Sequence, residues 1–439
     1  MGVQPCEIEF DRFLLLIGEQ ASGKSTIAKL IYFFQSLPDA IYDIVIENKK
    51  SNIKNNSIDE MAATLFFKAF GSLRNLNSKL LIGYDYGTFT IVIGRLVEDN
   101  QEGLRINLQE KLALIISVIT NYNEPKRDDL TKLMKDEIDL RKEFLTALYQ
   151  IFNKNTSINN YLIAGRNNVV AYSEYFEKII ELENEKAIEE KVKGQDLFDK
   201  TRTGNERLLL EFVNWSSNIR KYFQNNGGTF NTVKSDLENK SALNTFEKIA
   251  KKILKGDYRY DSNGEYLSIN EKERIQMKDA SSGQQEALRI LQGFFLSIGL
   301  KNRREFFVVE EPEAHLYPLA QKELINAFAL FLNTIKEGRL IITTHSPYIL
   351  ACVNILLFAN YVANELPEAE KEVLESVQKE FWLDSKMFSA YSLGHGEVYC
   401  TNIKDSETGL IDQNYLDAIS EQLGTQYNHL YNLLLESHV

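Results

Sequence analysis

The sequence predicts an α/β fold, and three observations predict it. An apolar run, Phe13-Leu14-Leu15-Leu16-Ile17, is followed by a glycine-framed loop and the helical stretch Ile27 to Phe34. Two later apolar runs, Phe306 to Val309 and Leu340 to Ile342, end in polar residues, Glu310-Glu311 and Thr344-His345. Helical patterns lie between these runs. Short, continuously apolar runs read as strands buried on both faces, the way parallel sheets are built. The first loop, Gly18-Glu19-Gln20-Ala21-Ser22-Gly23-Lys24-Ser25-Thr26, has the G-x-x-x-x-G-K-[ST] spacing of a phosphate-binding P-loop. Gly18 and Gly23 let the backbone curl until successive amides point at a phosphate. The helix that follows aims its positive end at the same spot. Lys24 then reaches the β- and γ-phosphates, and the Ser25 hydroxyl can ligand Mg²⁺.

Taken in order, residues 1–110 read as strand, P-loop, helix and a small antiparallel sheet. Leu37-Pro38-Asp39 is expected to end the first helix. Met61, Leu65, Phe66 and Phe70 fall near helical spacing, and Lys79 to Ile82, Phe89 to Leu96 and Leu104 to Leu108 read as short strands. Residues 111–255 read as a mostly helical lobe, with helices over Gln109 to Asn121 and Lys126 to Asn153 and a core strand near 161–166. The charged stretch 171–255 holds only about two heptads, fewer than a coiled coil needs, and breaks near Gly227-Gly228. Residues 256–350 begin with a hairpin signalled by Asp261-Ser262-Asn263-Gly264. A helix then follows Ala280-Ser281-Ser282-Gly283-Gln284 and runs to about Leu300, before the two strands named above. Residues 351–439 read as helix with one hairpin around Glu397 to Ile411, a candidate partner surface.

Composition narrows the class. The 439 residues are 44% hydrophobic and 26% charged, as in an ordinary globular protein. A net charge of −12 does not fit a surface coated for nucleic acid, although a local basic groove stays open. Cys6, Cys352 and Cys400 are odd in number and form no C-x-x-C pair, so neither a disulfide framework nor a zinc site is indicated. No apolar run is expected to reach the ~20 residues of a membrane helix, and no signal-peptide layout is read at the N-terminus. The reading is a cytoplasmic protein without a membrane partner.

The four polar motifs have one joint chemical sense. Transfer of a phosphoryl group to water needs positioning and charge neutralisation. Glu310, at the carboxyl end of its strand, can hold the shell of a Mg²⁺ ion through water. Glu311 can orient the attacking water as general base. His345 can contact the γ-phosphate. Ser281 and Gly283 open a helix and so make a second anion site. One P-loop per chain and a second anion site call for two copies, with two ATP molecules sandwiched between them in a two-fold dimer or a higher homo-oligomer.

The order of these motifs resembles the ABC-type ATPase heads of the SMC and OLD families. Gly18 to Thr26, with Gln20, Ala21 and Ser22 inside it, resembles their Walker A. Ala280 to Gln284, with Ser282 and Gln284, resembles their signature. Phe306 to Glu311 resembles their Walker B and His345 their switch histidine. Glu310-Glu311-Pro312-Glu313-Ala314-His315-Leu316-Tyr317-Pro318 is very like the E-E-P-E-x-H-L-x-P run of the OLD-like group, and Tyr161 to Arg166 resembles its Y-I-P-A-x-R strand. The resemblance implies a P-loop fold of ABC-ATPase head type with an antiparallel β-subdomain and an inserted helical lobe, hydrolysing ATP with Mg²⁺. The signature lacks its leading Leu and second Gly, Glu310 stands where many relatives have Asp, and no Q-loop glutamine is identified. OLD nucleases continue into a Toprim domain with a D-x-D cluster. Here about 90 residues follow His345 without one, and Asp384, Asp405 and Asp412 are isolated. No nuclease is therefore expected in this chain. Stand-alone OLD-like ATPases of this kind serve bacterial anti-phage systems such as PARIS and Septu, which implies an effector or toxin partner encoded nearby. Two alternatives stay open: an SMC-like DNA-binding ATPase, using Lys301 to Arg304 or Lys248 to Lys252, and a nucleotide-gated scaffold with little turnover.

Overall fold

In the computed structural model the first apolar run forms β1 (Phe13–Gly18), buried along its whole length. It pairs in parallel with β10 (Arg339–Thr344) on one side and β11 (Phe388–Leu393) on the other. Strand β9 (Glu305–Glu310) joins β10 in parallel, β5 (Ile158–Leu162) borders β9, and β12 (Cys400–Asn402) runs antiparallel to β11. The structure describes residues 4–47, 81–87, 90–98, 101–106, 130–153, 158–173, 175–179, 204–301, 305–394 and 398–412, with isolated positions between 62 and 70 and at 182. The expected helix over Gln109 to Asn121 lies outside them, as does most of 180–203.

Two units make up the chain: Met1–Ala28, Asn160–Lys178 and Val213–Val439 in one, Lys29–Asn159 and Ile179–Phe212 in the other. The first unit holds the six-stranded sheet. Its register sets Ile17 beside Thr344 and Thr343 beside Glu310, so three parallel strands end level at one edge. Helices α3 (Arg166–Ala171), α5 (Phe230–Lys234), α6 (Lys240–Leu254), α7 (Ser282–Gly299), α8 (Pro318–Thr334), α9 (Pro347–Glu365) and α10 (Glu370–Ser376) belong here, and α4 (Gly204–Asn225) enters it at Val213. Helix α7 packs on α3, α6 and α8 and is buried at sixteen positions from Gly283 to Gly299. Phe294 stacks on Phe307 of β9 at 4.2 Å, and Phe331 of α8 meets both edge-on. Each such ring contributes on the order of 2–3 kcal/mol by leaving water. A second sheet is formed by β6 (Asp257–Asp261), β7 (Gly264–Ser268) and β8 (Arg274–Gln276). The hairpin lies where Asn-Gly signalled it, but Ser262-Asn263 are its loop and Gly264 already pairs with Asp261.

The second unit holds the small antiparallel sheet of β2 (Leu81–Asp85), β3 (Thr90–Glu98) and β4 (Gln101–Ile106). Its core joins Phe33, Phe34, Leu37 and Ile41 with Phe66, Ile91, Ile93, Phe144, Leu148 and Phe152, the last three from or just beyond α2 (Leu130–Ile151). Helix α1 (Lys24–Glu47) starts in the first unit and continues here, through Pro38 rather than ending there. Proline removes the amide that would serve the carbonyl four residues back. That carbonyl, of Phe34, accepts the Tyr86 hydroxyl instead at 2.8 Å.

Two further expectations are corrected. The C-terminal region is not only helix and hairpin: Phe388 to Leu393 is the core strand next to β1. Its Ser389, Tyr391 and Ser392 hide the apolar run that marks the other strands. Helix α9 is long and apolar enough to cross a membrane, 19 residues at mean hydropathy 1.4, because no charge interrupts it before Glu365. Here Ile349, Leu350, Val353, Leu356 and Leu357 are buried in the unit, and α9 packs on α8.

Candidate functional site

The loop after β1 is shaped by close approaches. A Cβ added at Gly18 would lie 2.2 Å from the Leu393 carbonyl oxygen of β11, so only glycine leaves the strand here. Gly23 takes a left-handed φ of 95° immediately before α1. Ser22 is buried; its amide reaches the Glu19 carbonyl, and its own carbonyl accepts the Tyr399 hydroxyl at 2.7 Å. Gln20 and Ala21 are exposed at the tip, and Ser25 and Thr26 lie in the first turn of α1, half-buried and exposed respectively.

Lys24 turns back into this loop. Its ammonium donates to the carbonyls of Gly18 and Glu19, both at 2.7 Å, and to Ser22 Oγ at 3.3 Å. Burial pulls its pKa below the ordinary lysine value, while the charges of Glu311 and Glu313 oppose that shift. His345 Nδ1 lies 3.3 Å from Lys24 Nζ, and His345 Nε2 lies 3.0 Å from Glu311 Oε1. An ammonium has only donors, so Nδ1 must accept. The network thereby assigns the ring proton to Nε2, which donates to the Glu311 carboxylate.

The two carboxylates after β9 are held differently. Glu310 is buried; Oε1 accepts the Tyr161 hydroxyl at 2.7 Å and Oε2 the Ala164 amide at 3.1 Å. Each oxygen retains a lone pair for a metal-bound water. Glu311 leaves the strand with a left-handed φ of 42°, and its amide donates to the Thr343 carbonyl at 2.8 Å. Beyond the turn, Glu313 accepts from Thr344 Oγ1 at 2.6 Å and from the His345 amide at 2.8 Å, which fixes the backbone that carries the histidine.

One family comparison decides the class: residues 2–350 match the family described as AAA ATPase domain (AAA_15). The chain belongs to the AAA ATPase domain family. Its parallel sheet, with the P-loop leaving β1, is a P-loop ATPase fold, and membership implies nucleotide binding and ATP hydrolysis. Among solved structures the chain is similar to an SMC head bound to the C-terminal winged-helix domain of ScpA, at 15% identity, with a TM-score of 0.31 and coverage of 78% of this chain and 84% of that one. It is also similar to the SMC head domain from Thermotoga maritima, at 11% identity, a TM-score of 0.30 and coverage of 91% and 93%. A search of curated proteins gives no match.

In this AAA ATPase domain Lys24, Glu310, Glu311 and His345 come together at the level edge of the sheet. Among the described residues no hydrogen bond or ion pair joins the segment Ser281 to Gln284 to 18–26. Ser281 caps α7 in a reciprocal box with Gln284, whose side-chain amide also donates to the Leu254 carbonyl at 2.7 Å. A Cβ on Gly283 would meet the His315 carbonyl oxygen at 2.5 Å. The residues fit a triphosphate with Mg²⁺: the loop offers amides, a desolvated ammonium and a helix start, and Glu310 offers an anionic oxygen pair. Among the described residues no three His, Cys, Asp or Glu side chains form a cage, and Mg²⁺ held partly by phosphate needs none. Tyr161, Arg166 and Glu313 were flagged in sequence only as parts of longer runs, and Tyr399 carried no signal.

Proposed function

We propose that the chain is an ATPase subunit that hydrolyses ATP with Mg²⁺, closes as a dimer around two nucleotides, and controls a partner effector in anti-phage defence. The observation that carries the ATPase chemistry is the chain of contacts Lys24–His345–Glu311 at the carboxyl edge of β1, β10 and β9. In this reading the amides from Gly18 to Thr26, with Gln20, Ala21, Ser22 and Gly23 among them, surround the phosphates and Lys24 neutralises the β- and γ-oxygens. Ser25 and Glu310 would hold Mg²⁺, the latter through water, and the ion would spread the phosphate charge. Glu311 takes a proton from the attacking water as the water oxygen bonds to the γ-phosphorus and the bond to the ADP oxygen breaks. His345, with its proton on Nε2, shifts that hydrogen bond from Glu311 to a γ-phosphate oxygen. Ser281, Ser282, Gly283 and Gln284, which open a helix, serve the nucleotide of the second copy.

The effector role is supported by the E-E-P-E-x-H-L-x-P run. The test is the solution mass of Glu311→Gln with and without ATP–Mg²⁺. Doubling with nucleotide is the expected outcome. A mass that ATP leaves unchanged contradicts closure around nucleotide.

A further inference from the structure

Arg166 follows β5 and, with Arg289, is the largest fully buried polar side chain among the described residues. Its guanidinium meets backbone more than side chains. Nη1 donates to the carbonyls of Ile163 and Glu310, the latter at 2.6 Å, and Nη2 to the carbonyl of Glu311 at 3.0 Å. Its Nε lies 3.1 Å from Glu286 Oε2, and both side chains are sealed from water. The pair is an ion contact without hydrogen-bond alignment, since neither atom has a bonded partner. Glu286 sits one turn into α7, after the Ser281 cap. The same turn touches the loop beyond Glu311 directly, where Gly283 packs on the His315 carbonyl.

The peptide of Glu311 is thus clamped from both sides. Thr343 takes its amide and Arg166 takes its carbonyl. A non-glycine residue at a φ of 42° is strained and persists only where the surroundings enforce it. Arg166 is the group that enforces it from the α7 side, because a planar fork can hold two successive carbonyls while contacting Glu286.

We infer that Arg166 is a positioning residue that ties the first turn of α7 to the Glu311 peptide, so that anion binding at the α7 start and the aim of the Glu311 carboxylate are coupled within one chain. This deepens the proposed function and rests on it. Two variants separate the parts: Arg166→Lys keeps a charge but loses the fork, and Glu286→Gln keeps shape and the carbonyl contacts but loses the charge pair.

The experiment measures steady-state phosphate release, equilibrium ATP binding and hydrogen exchange of the α7 first turn with and without ATP–Mg²⁺. Both variants are expected to lose about ten- to a hundred-fold in kcat with ATP affinity within about two-fold of wild type, since misplacement by an ångström costs that much. The loss is expected to vanish when each is combined with Glu311→Gln, because groups acting through one residue are not additive. ATP-induced protection of the α7 turn should appear in wild type and not in Glu286→Gln. Wild-type kcat in Glu286→Gln, or a full further loss in the Glu311→Gln background, overturns the inference, even where Arg166→Lys fails to fold. Lack of turnover in wild type would defeat the ATPase reading instead, and the exchange comparison would still decide the coupling.

Discussion

At the scale of single residues, chemistry and packing make separate demands. Lys24 is buried in its loop, where backbone carbonyls, Ser22 and His345 satisfy it. Lys24→Met should keep the fold and lower ATP affinity by at least about ten-fold in an equilibrium titration, because it removes the one loop cation; undiminished binding would contradict its role. Gly18→Ala should instead cost stability, about 1–3 kcal/mol in denaturant unfolding, because the Leu393 carbonyl cannot retreat without disturbing β11. Glycine spacing and strand-end carboxylates made Gly18, Lys24, Glu310, Glu311 and His345 legible in the sequence, since each signal is local. The partners that aim them were not legible. Tyr399 reaches Ser22 across 377 positions, and Glu286 looks like any helical glutamate until Arg166 is beside it.

At the scale of elements, strands that are apolar throughout were readable and the one interrupted by serines was not. Phe388 to Leu393 breaks its apolar run with Ser389 and Ser392, yet it is sealed between β1 and β12. With β12 it delivers Gly394 and Tyr399 onto the P-loop. Tyr399→Phe should raise KM for ATP with kcat retained and cost about 0.5–1.5 kcal/mol, one hydrogen bond's worth; an unchanged KM would remove the strand pair from the site. Helix α7 carries a second buried charge. Arg289 meets Glu265 of β7 through two 2.7 Å bonds, with Ser216 and Tyr258 completing the network. Burial alone would raise the Glu265 pKa, but the charge and hydrogen bonds of Arg289 hold it below the ordinary carboxylate value. The folded state therefore binds this proton less readily than the unfolded chain. Its stabilisation is present above the ordinary carboxylate pKa and is lost as pH falls through the lowered folded value. Glu265→Gln should cost about 3–5 kcal/mol at neutral pH, by leaving Arg289 without its counter-charge. The gap from wild type should narrow in acid unfolding below the ordinary carboxylate range, and a pH-independent gap would contradict the pairing.

At the scale of the whole molecule, the fold class was readable because four local motifs fix the order of a P-loop sheet, whereas Pro38 misled because its missing amide is compensated by a distant tyrosine. The chain's net charge of −12 and the pairing of Lys251 with Asp257 and Lys252 with Glu323 leave little for a duplex to meet at that cluster. Salt-sensitive DNA affinity that rises with ATP would favour the SMC-like alternative over effector control. Both depend on the same claim, that Lys24, His345 and Glu311 form one hydrolytic centre. The measurement that tests it most directly is phosphate release by wild type and Glu311→Gln under saturating ATP–Mg²⁺, with ATP binding measured on the same samples. Steady turnover is expected in wild type, with a drop of about a hundred-fold or more in the variant and binding retained. Equal turnover in the two proteins would contradict it.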